Sequence, residues 1–360
     1  MHAVLFAGGF GQRLWPISRR KSPKQFSALL GGKSFLRIAV ERLLPLVPFE
    51  RIFISTNERF AEVILEQIPE MTRANLILEP ERRDLAAAVG FAFFTLHQRG
   101  VKGDLYFQWS DNYVGNEEGL LHAISVGLDL VHKEPRQIVF IGQRPRFASE
   151  NLGWIEQGDL KGYVGDTPYY AFRSWHYRPA PDVCKTMFES GSFIWNTGFF
   201  VTSMEFAIST YRRVAPEISK LAEEMASLPP VPASEARRKE LYSQMPVQHF
   251  DEAFLMRIQP DQAVLLNIEL DWSDPGTLYA LKETLQTDTE ANVKQGPVVD
   301  LDCKDSLFVN EEHKPLSVMG LTGVIVVNTS DAILVISKDS VRHLGKLLSE
   351  LGSQGFEELL

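Results

Sequence analysis

"LFAGGFGQRLWPISRRKSPKQF", Leu5 to Phe26, is the stretch from which the fold can be read. It holds three glycines, five cationic side chains and no acidic residue, in a chain of formal net charge -9. The apolar run "HAVLFA" at 2–7 reads as a buried first strand, and the glycines follow it directly. A strand ending in glycines presents free backbone N–H groups to an anion, and glycine lets the backbone approach that anion closely. Two familiar phosphate loops do not fit. The Gly-Lys-Ser/Thr ending of a P-loop is missing. A dinucleotide fingerprint has Gly9 and Gly11 but meets Leu14 where its third glycine belongs, which also sets aside a Rossmann-type redox enzyme. There remain Arg13, able to grip two phosphate oxygens in a fork, and Lys24 after Pro23, a compact point charge. A solvated basic loop is the plainer alternative. The position at the C-terminal end of a first parallel strand, where open α/β sheets bind ligands, favours a polyphosphate.

Outward from this loop, strand-like runs alternate with helix-like ones. "RIFIST" (51–56), "NLILEP" (75–80), "DLYFQW" (104–109) and "QIVFIG" (137–142) are separated by helical patterns near 58–68, 84–97 and 117–133. This order predicts an α/β fold, a Rossmann-like and mostly parallel sheet covered by helices. Strands are expected at 169–175, 193–201 and 262–270, with helices at 181–190, over much of 204–257 and in "PGTLYALKETL". The polar stretch 286–296 reads as a linker between a nucleotidyltransferase-sized domain at 1–285 and a small β-rich C-terminal domain at 297–360. There "GVIVVNTSDAILVIS" holds two β-branched runs about a turn at Asn328–Asp331, and a helix near 339–351 closes the chain.

The composition, 44% apolar and 23% charged over 360 residues, is that of a globular protein. No stretch nears the roughly 18 apolar residues of a membrane span, and no basic leader precedes the first strand, so no membrane partner is expected. Cys184 and Cys303, far apart, suggest a reducing cytoplasm without a disulfide frame or zinc site. The acidic balance argues against nucleic acid. Two carboxylates stand out. Asp111 follows the strand "DLYFQW", and Asp274 in "LDWSDPG" follows the late strand. Strand ends of a parallel sheet share one edge, so both could hold a magnesium ion beside a phosphate. Each could equally be a helix N-cap or a turn residue.

The pattern "GGFGQRLWPISRRKSPKQF" closely resembles the signature of the mannose-1-phosphate guanylyltransferases, or GDP-mannose pyrophosphorylases, within the sugar-nucleotide pyrophosphorylase superfamily. The Trp-Pro pair and the Lys-Gln-Phe ending set it apart from related uridylyl- and thymidylyltransferases. The resemblance implies a transferase that joins GTP and a sugar 1-phosphate, with Mg²⁺ as cofactor, to give a GDP-sugar and pyrophosphate. It implies that Gly8, Gly9 and Gly11 wrap the triphosphate, that Arg13 holds its outer phosphates and that Lys24 sits by the α-phosphate. It favours Asp111 and Asp274 as Mg²⁺ ligands. No dedicated base is needed, because a sugar 1-phosphate with a second pKa of about 6 is largely a dianion at neutral pH.

Departures from the family pattern leave the substrate open. Where relatives have Arg-Asn-Thr-Ala, this chain has Arg83-Asp84-Leu85-Ala86. Asp84 or Glu79 could accept from guanine N1–H and its amino group; Asp84 could instead cap the alanine-rich helix. On the sugar side, "NLGWI" (Asn151–Ile155, with Gly153) replaces a Gly-Tyr-Gly-Tyr-Ile segment, and Tyr177-Arg178 stand where Glu-Lys is usual. Arg178 keeps a positive charge for a sugar phosphate. Trp195, Asn196 and Gly198 keep a Trp-Asn-x-Gly pattern, which makes Asn196 a candidate for a sugar hydroxyl. His249 and Asp251 could be site, capping or core residues. Other readings are the same chemistry on another sugar or nucleotide, and a non-catalytic sugar-nucleotide-binding homologue. A homodimer is possible.

Overall fold

β1 (His2–Phe6) buries Ala3, Val4 and Leu5 completely, as an apolar run covered on both faces should. The computed structural model describes residues 1–9, 12–19, 23–27, 32–229 and 231–360. The strands that follow are β2 (Ile52–Asn57), β3 (Leu76–Glu79), β4 (Asp104–Trp109), a two-residue β5 (Tyr113–Val114), β6 (Ile138–Gln143), β7 (Gly153–Val164), β8 (Thr167–Tyr177), β9 (Phe193–Ser203) and β10 (Ala263–Asn267). Nine of them make one sheet in the order β3-β2-β1-β4-β9-β6-β10-β8-β7. β3, β2, β1 and β4 are parallel neighbours, as are β6 and β10; β9 pairs antiparallel with β4 and β6, and β8 with β10 and β7. The expected α/β sheet, mostly parallel, is therefore the observed one.

By its contacts the chain resolves into two units. The first comprises Met1–Gly8, Ala39–Ser110 and Val114–Trp272; the second comprises Gly9–Ile38, Asp111–Tyr113 and Ser273–Leu360. The nine-stranded sheet belongs to the first. Its core is aromatic: Phe107 stacks on Phe200 at 4.6 Å between ring centroids and meets Phe93 edge-on at 5.2 Å. The helix Asp84–Gln98 supplies Phe93 and buries Ala86, Ala87 and Ala88, whose small side chains let it lie close to its neighbours.

A short β11 (Trp272–Ser273) leads into the C-terminal part of the second unit, a stack of strands: β12 (Val293–Gln295), β13 (Val298–Leu301), β14 (Leu307–Asn310), β15 (Leu316–Met319) and β16 (Val324–Asn328), closed by β17 (Ile333–Ser337). β12, β14 and β16 pair in parallel, β13 and β15 likewise, and β17 turns back antiparallel onto β16. Each layer drops its apolar residues above those of the next: Leu307 and Val309 register with Ile325 and Val327. Asn328 Nδ2 donates to Asn310 Oδ1 at 2.8 Å along the same stack. Residues 293–295, inside the stretch read as a linker, form β12. Among them only Val293 is buried, so the polar composition hid a strand. The core of this unit joins Leu14, Trp15, Ile17 and Phe35 of the N-terminal segment to Leu307, Ile325, Leu334 and Leu344. No helix among the described residues is long and apolar enough to cross a membrane.

Candidate active site

Pro23, in extended conformation, leads into a tight turn over Lys24–Phe26 that buries the lysine to 3% exposure. Its Nζ donates to Asp274 Oδ1 at 3.3 Å and to Asp111 Oδ2 at 3.5 Å, and lies 5.1 Å from the Phe35 ring centroid. The two carboxylates, Asp111 and Asp274, keep 41% and 36% of their side chains exposed. A buried cation thus gathers two acids from distant parts of the chain, and both acids remain accessible. Asp111 comes two residues after β4, and Asp274 follows β11 directly. The Gly276 amide donates to the Asp274 carbonyl at 2.7 Å, which bends the chain sharply beyond the carboxylate. Arg13 is exposed and lies against that bend: a Cβ on Gly276 would sit 3.4 Å from Arg13 Nη1. Gln25 Nε2 donates to the Gly9 carbonyl at 3.2 Å and so ties down the start of the glycine loop. Gly11 lies outside the described residues.

In the first unit, Gly8 leads to Glu79. A Cβ on Gly8 would lie 3.9 Å from Glu79 Oε1. Glu79 accepts from Tyr242 Oη at 2.6 Å and from Ser55 Oγ at 3.5 Å. Burial pushes its pKa up from 4.5 to about 7, although both hydrogen bonds favour the charged form. The folded chain holds this proton where the unfolded chain releases it near 4.5. The associated stability is therefore complete below that pH and is lost as pH rises through about 7, with a full span of about 3 kcal/mol. Tyr242→Phe removes the strongest donor to the carboxylate. The falling limb of stability against pH, read by urea unfolding, is expected to move to higher pH. A limb that stays or moves down contradicts this account.

A second group in the same unit holds Gly153, Arg178 and Asn196, the residues singled out for the sugar, together with Asp84, one of the two candidates for the base. Asp84 adopts φ 64°, a left-handed conformation that Asp and Asn tolerate best among residues with a Cβ. This explains how Asp can stand where relatives have Asn. Asp84 does not cap the helix in the usual way: its Oδ1 accepts from the adjacent Leu85 amide at 2.7 Å, while Oδ2 lies 3.3 Å from His249 Nδ1. The His249 ring is 5.2 Å from that of Tyr177, and the Arg178 guanidinium stands over the Tyr177 ring, also at 5.2 Å. Asp251 accepts from Trp175 Nε1 at 3.1 Å; burial raises its pKa from 3.8 to about 6. Gly153 faces both Asn196 and Asp251, at 3.2 and 3.6 Å from where its Cβ would be. Asn196 Oδ1 accepts from the Gly198 amide at 2.8 Å. Gly198 has φ 77°, and a Cβ there would meet Trp109 at 2.2 Å, so no other residue fits. Contacts thus link Gly153 to Asn196 and Asp251, and Asp84 through His249 and Tyr177 to Arg178. Tyr242, Trp175, Gln25 and Gly276 were not foreseen. Only Gln25, inside the Lys-Gln-Phe ending, and Gly276, in the Asp-Pro-Gly turn, had a local signal.

A buried lysine with two accessible carboxylates converging on it suits nucleotidyl transfer, and comparison with known proteins shows that class of enzyme. Residues 2–291 match the family described as nucleotidyl transferase, and residues 296–351 match the MannoseP isomerase/GMP-like beta-helix domain. The chain belongs to the nucleotidyl transferase family and is an enzyme of it. Within that family it resembles the mannose-1-phosphate guanylyltransferases. It is 28% identical to mannose-1-phosphate guanylyltransferase 2 of Escherichia coli O157:H7, over 98% of this chain and 73% of that protein. It is 29% identical to mannose-1-phosphate guanylyltransferase RfbM of Salmonella typhimurium strain LT2, over 97% and 72%. A crystal structure from Thermus thermophilus, described as a mannose-1-phosphate geranyltransferase, superimposes with a TM-score of 0.86 at 26% identity, covering 98% of this chain and 99% of that one. The β-helix match agrees with the parallel stack of β12 to β16.

Proposed function

We propose that the protein condenses GTP with a hexose 1-phosphate, mannose 1-phosphate first among them, to give a GDP-hexose and pyrophosphate. The observation that carries this is the meeting of Lys24 with Asp111 and Asp274. The sugar phosphate oxygen attacks the α-phosphorus in line, the bond from that phosphorus to the β-phosphate oxygen breaks, and pyrophosphate leaves. Positioning and charge neutralisation do the catalysis. Lys24 faces the α-phosphoryl oxygens, and Arg13 takes the leaving phosphates. The amides at Gly8 and Gly9 line the chain of phosphates. Two accessible carboxylates suit Mg²⁺, which takes few protein ligands and fills its shell with water and phosphate. Asp111 and Asp274 would hold it, and the ion would neutralise charge on the phosphate oxygens.

The closeness of Glu79 to Gly8 favours it as the acceptor for guanine N1–H and the amino group. The contact of Asp84 with His249 allies Asp84 with the sugar side instead. One observation favours a second reading, a different sugar: Arg178 lies over Tyr177 where relatives carry Glu-Lys. Pyrophosphate release over a panel of triphosphates and sugar 1-phosphates with Mg²⁺ decides between them. GTP with mannose 1-phosphate is expected to give the highest kcat/KM. A higher value for another sugar selects the second reading, and no release with any pair, beside tight binding of a sugar nucleotide, removes both.

A further inference from the structure

The signature segment does not stand alone. Arg19 Nε donates to the Pro16 carbonyl at 3.1 Å, and its two terminal nitrogens engage both carboxylate oxygens of Asp331. Nη2 also reaches Thr329 Oγ1 at 3.3 Å. Asp331 sits in the turn between β16 and β17. Thr329 braces that turn by donating from Oγ1 to Asp331 Oδ1 at 3.0 Å and from its amide to the Ala332 carbonyl at 2.9 Å. A planar fork against a carboxylate fixes direction as well as distance. From the same segment, Trp15 Nε1 donates to the Leu359 carbonyl at 2.8 Å. Leu14, Trp15 and Ile17 are buried in the same core as Val309, Ile325, Val327 and Leu334.

These anchors lead to the charged groups by short steps. The amides of Ile17 and Ser18 donate back to the Leu14 carbonyl at 3.0 and 3.3 Å, which closes the turn that follows Arg13. Ser27 Oγ donates to the Ile17 carbonyl at 3.1 Å, and the Ser27 amide to the Lys24 carbonyl at 3.0 Å. One path of contacts therefore runs from Asp331 through Arg19, Pro16 and Ile17 to the backbone of Lys24.

We propose that Arg19 and Asp331 are a positioning pair, by which the C-terminal β-helix holds Arg13 and Lys24 in their phosphate-binding geometry. The β-helix is thus a working part of the nucleotide site. This rests on the reading of the signature segment as a triphosphate site. Neither residue touches substrate. Misplacing a binding group by about 1 Å costs up to about 100-fold in rate, so the effect should be large and confined to the nucleotide.

The test uses the full-length chain and variants Arg19→Ala, Asp331→Asn and the exchange Arg19→Asp with Asp331→Arg. Asp331 keeps 46% of its side chain exposed and asparagine retains an acceptor for Arg19 and Thr329, so the fold is expected to survive Asp331→Asn. The single variants are expected to raise KM for GTP about 10-fold or more, with KM for the sugar phosphate within about twofold and the melting temperature unchanged. The exchange is expected to recover most of the GTP affinity. Unchanged KM for GTP in the folded single variants overturns the pairing. So does a rise of both KM values in step with a fall in melting temperature, which marks a general loss of structure. If wild-type protein neither turns over nor binds GTP, the triphosphate reading fails, and this inference fails with it; if wild-type binds GTP and the variants match it, only the positioning role falls.

Discussion

Lys24→Met is expected to lower kcat by about 10²–10³-fold, the usual loss when one preorganised charge at a reacting centre is removed. Methionine keeps most of the length of the buried stem beside Phe35, so packing changes little. What disappears is the ammonium between Asp111 and Asp274. The two acids are 41% and 36% exposed, and water screens the repulsion left behind. The melting temperature should therefore hold, and the loss should fall on kcat. The same change removes a cation that competes for the carboxylates, so Mn²⁺, titrated into the nucleotide-free chain and read by electron paramagnetic resonance, should bind at least as tightly as in wild type. Asp111→Asn gives the opposite pattern: Mn²⁺ binding weakens together with turnover. A folded Lys24→Met protein that turns over at the wild-type rate would leave the lysine no catalytic role.

Much of the proposed site is legible in the sequence because ligands in open α/β folds gather where parallel strands end. The glycines after β1 and Asp111 after β4 follow directly from that rule. Lys24 could be singled out because the signature segment is local, and Asp274 because it follows the late strand in a segment like the family's; the Asp-Pro-Gly turn itself spoke only for a turn residue. Pairs joined only by folding left no such mark. Nothing near Tyr242 announces Glu79, and nothing near Asp331 announces Arg19. β7 has no clear sequence signal because much of its 12-residue length is polar or exposed, and β12 to β15 have none because each offers only 3 or 4 residues, several facing out; the longer β-branched runs of β16 and β17 were legible. A strand in a stack is stabilised by its neighbours above and below, and its own pattern carries little of that information.

Asp305→Asn is expected to cost about 3–5 kcal/mol of stability, the range for stripping the partner from a buried charge. Lys282, on the helix Leu278–Leu285, has a fully buried side chain. Its ammonium is satisfied by Asp305, by Gln286 Oε1 at 2.6 Å and by the Thr289 carbonyl at 3.1 Å. Lys338, more exposed, takes the other oxygen of Asp305. Asparagine at 305 keeps the backbone, which stands at φ 49° and which Asn accepts as readily as Asp. The substitution therefore isolates the charge. Adding Lys282→Met should return most of the loss, because the penalty belongs to an ammonium left without its counterion and not to a missing contact. Urea unfolding of the two single variants and the double variant measures the coupling directly. Simple additivity would show that the carboxylate acts through packing alone. The consequence reaches the site through one more bond: Ser273 Oγ, next to Asp274, pairs with Thr284 Oγ1 of the same helix at 2.6 Å. A helix loosened at Lys282 no longer holds Asp274 against Lys24, so the single variant should lose metal affinity at temperatures where it is still folded, and the double variant should regain it.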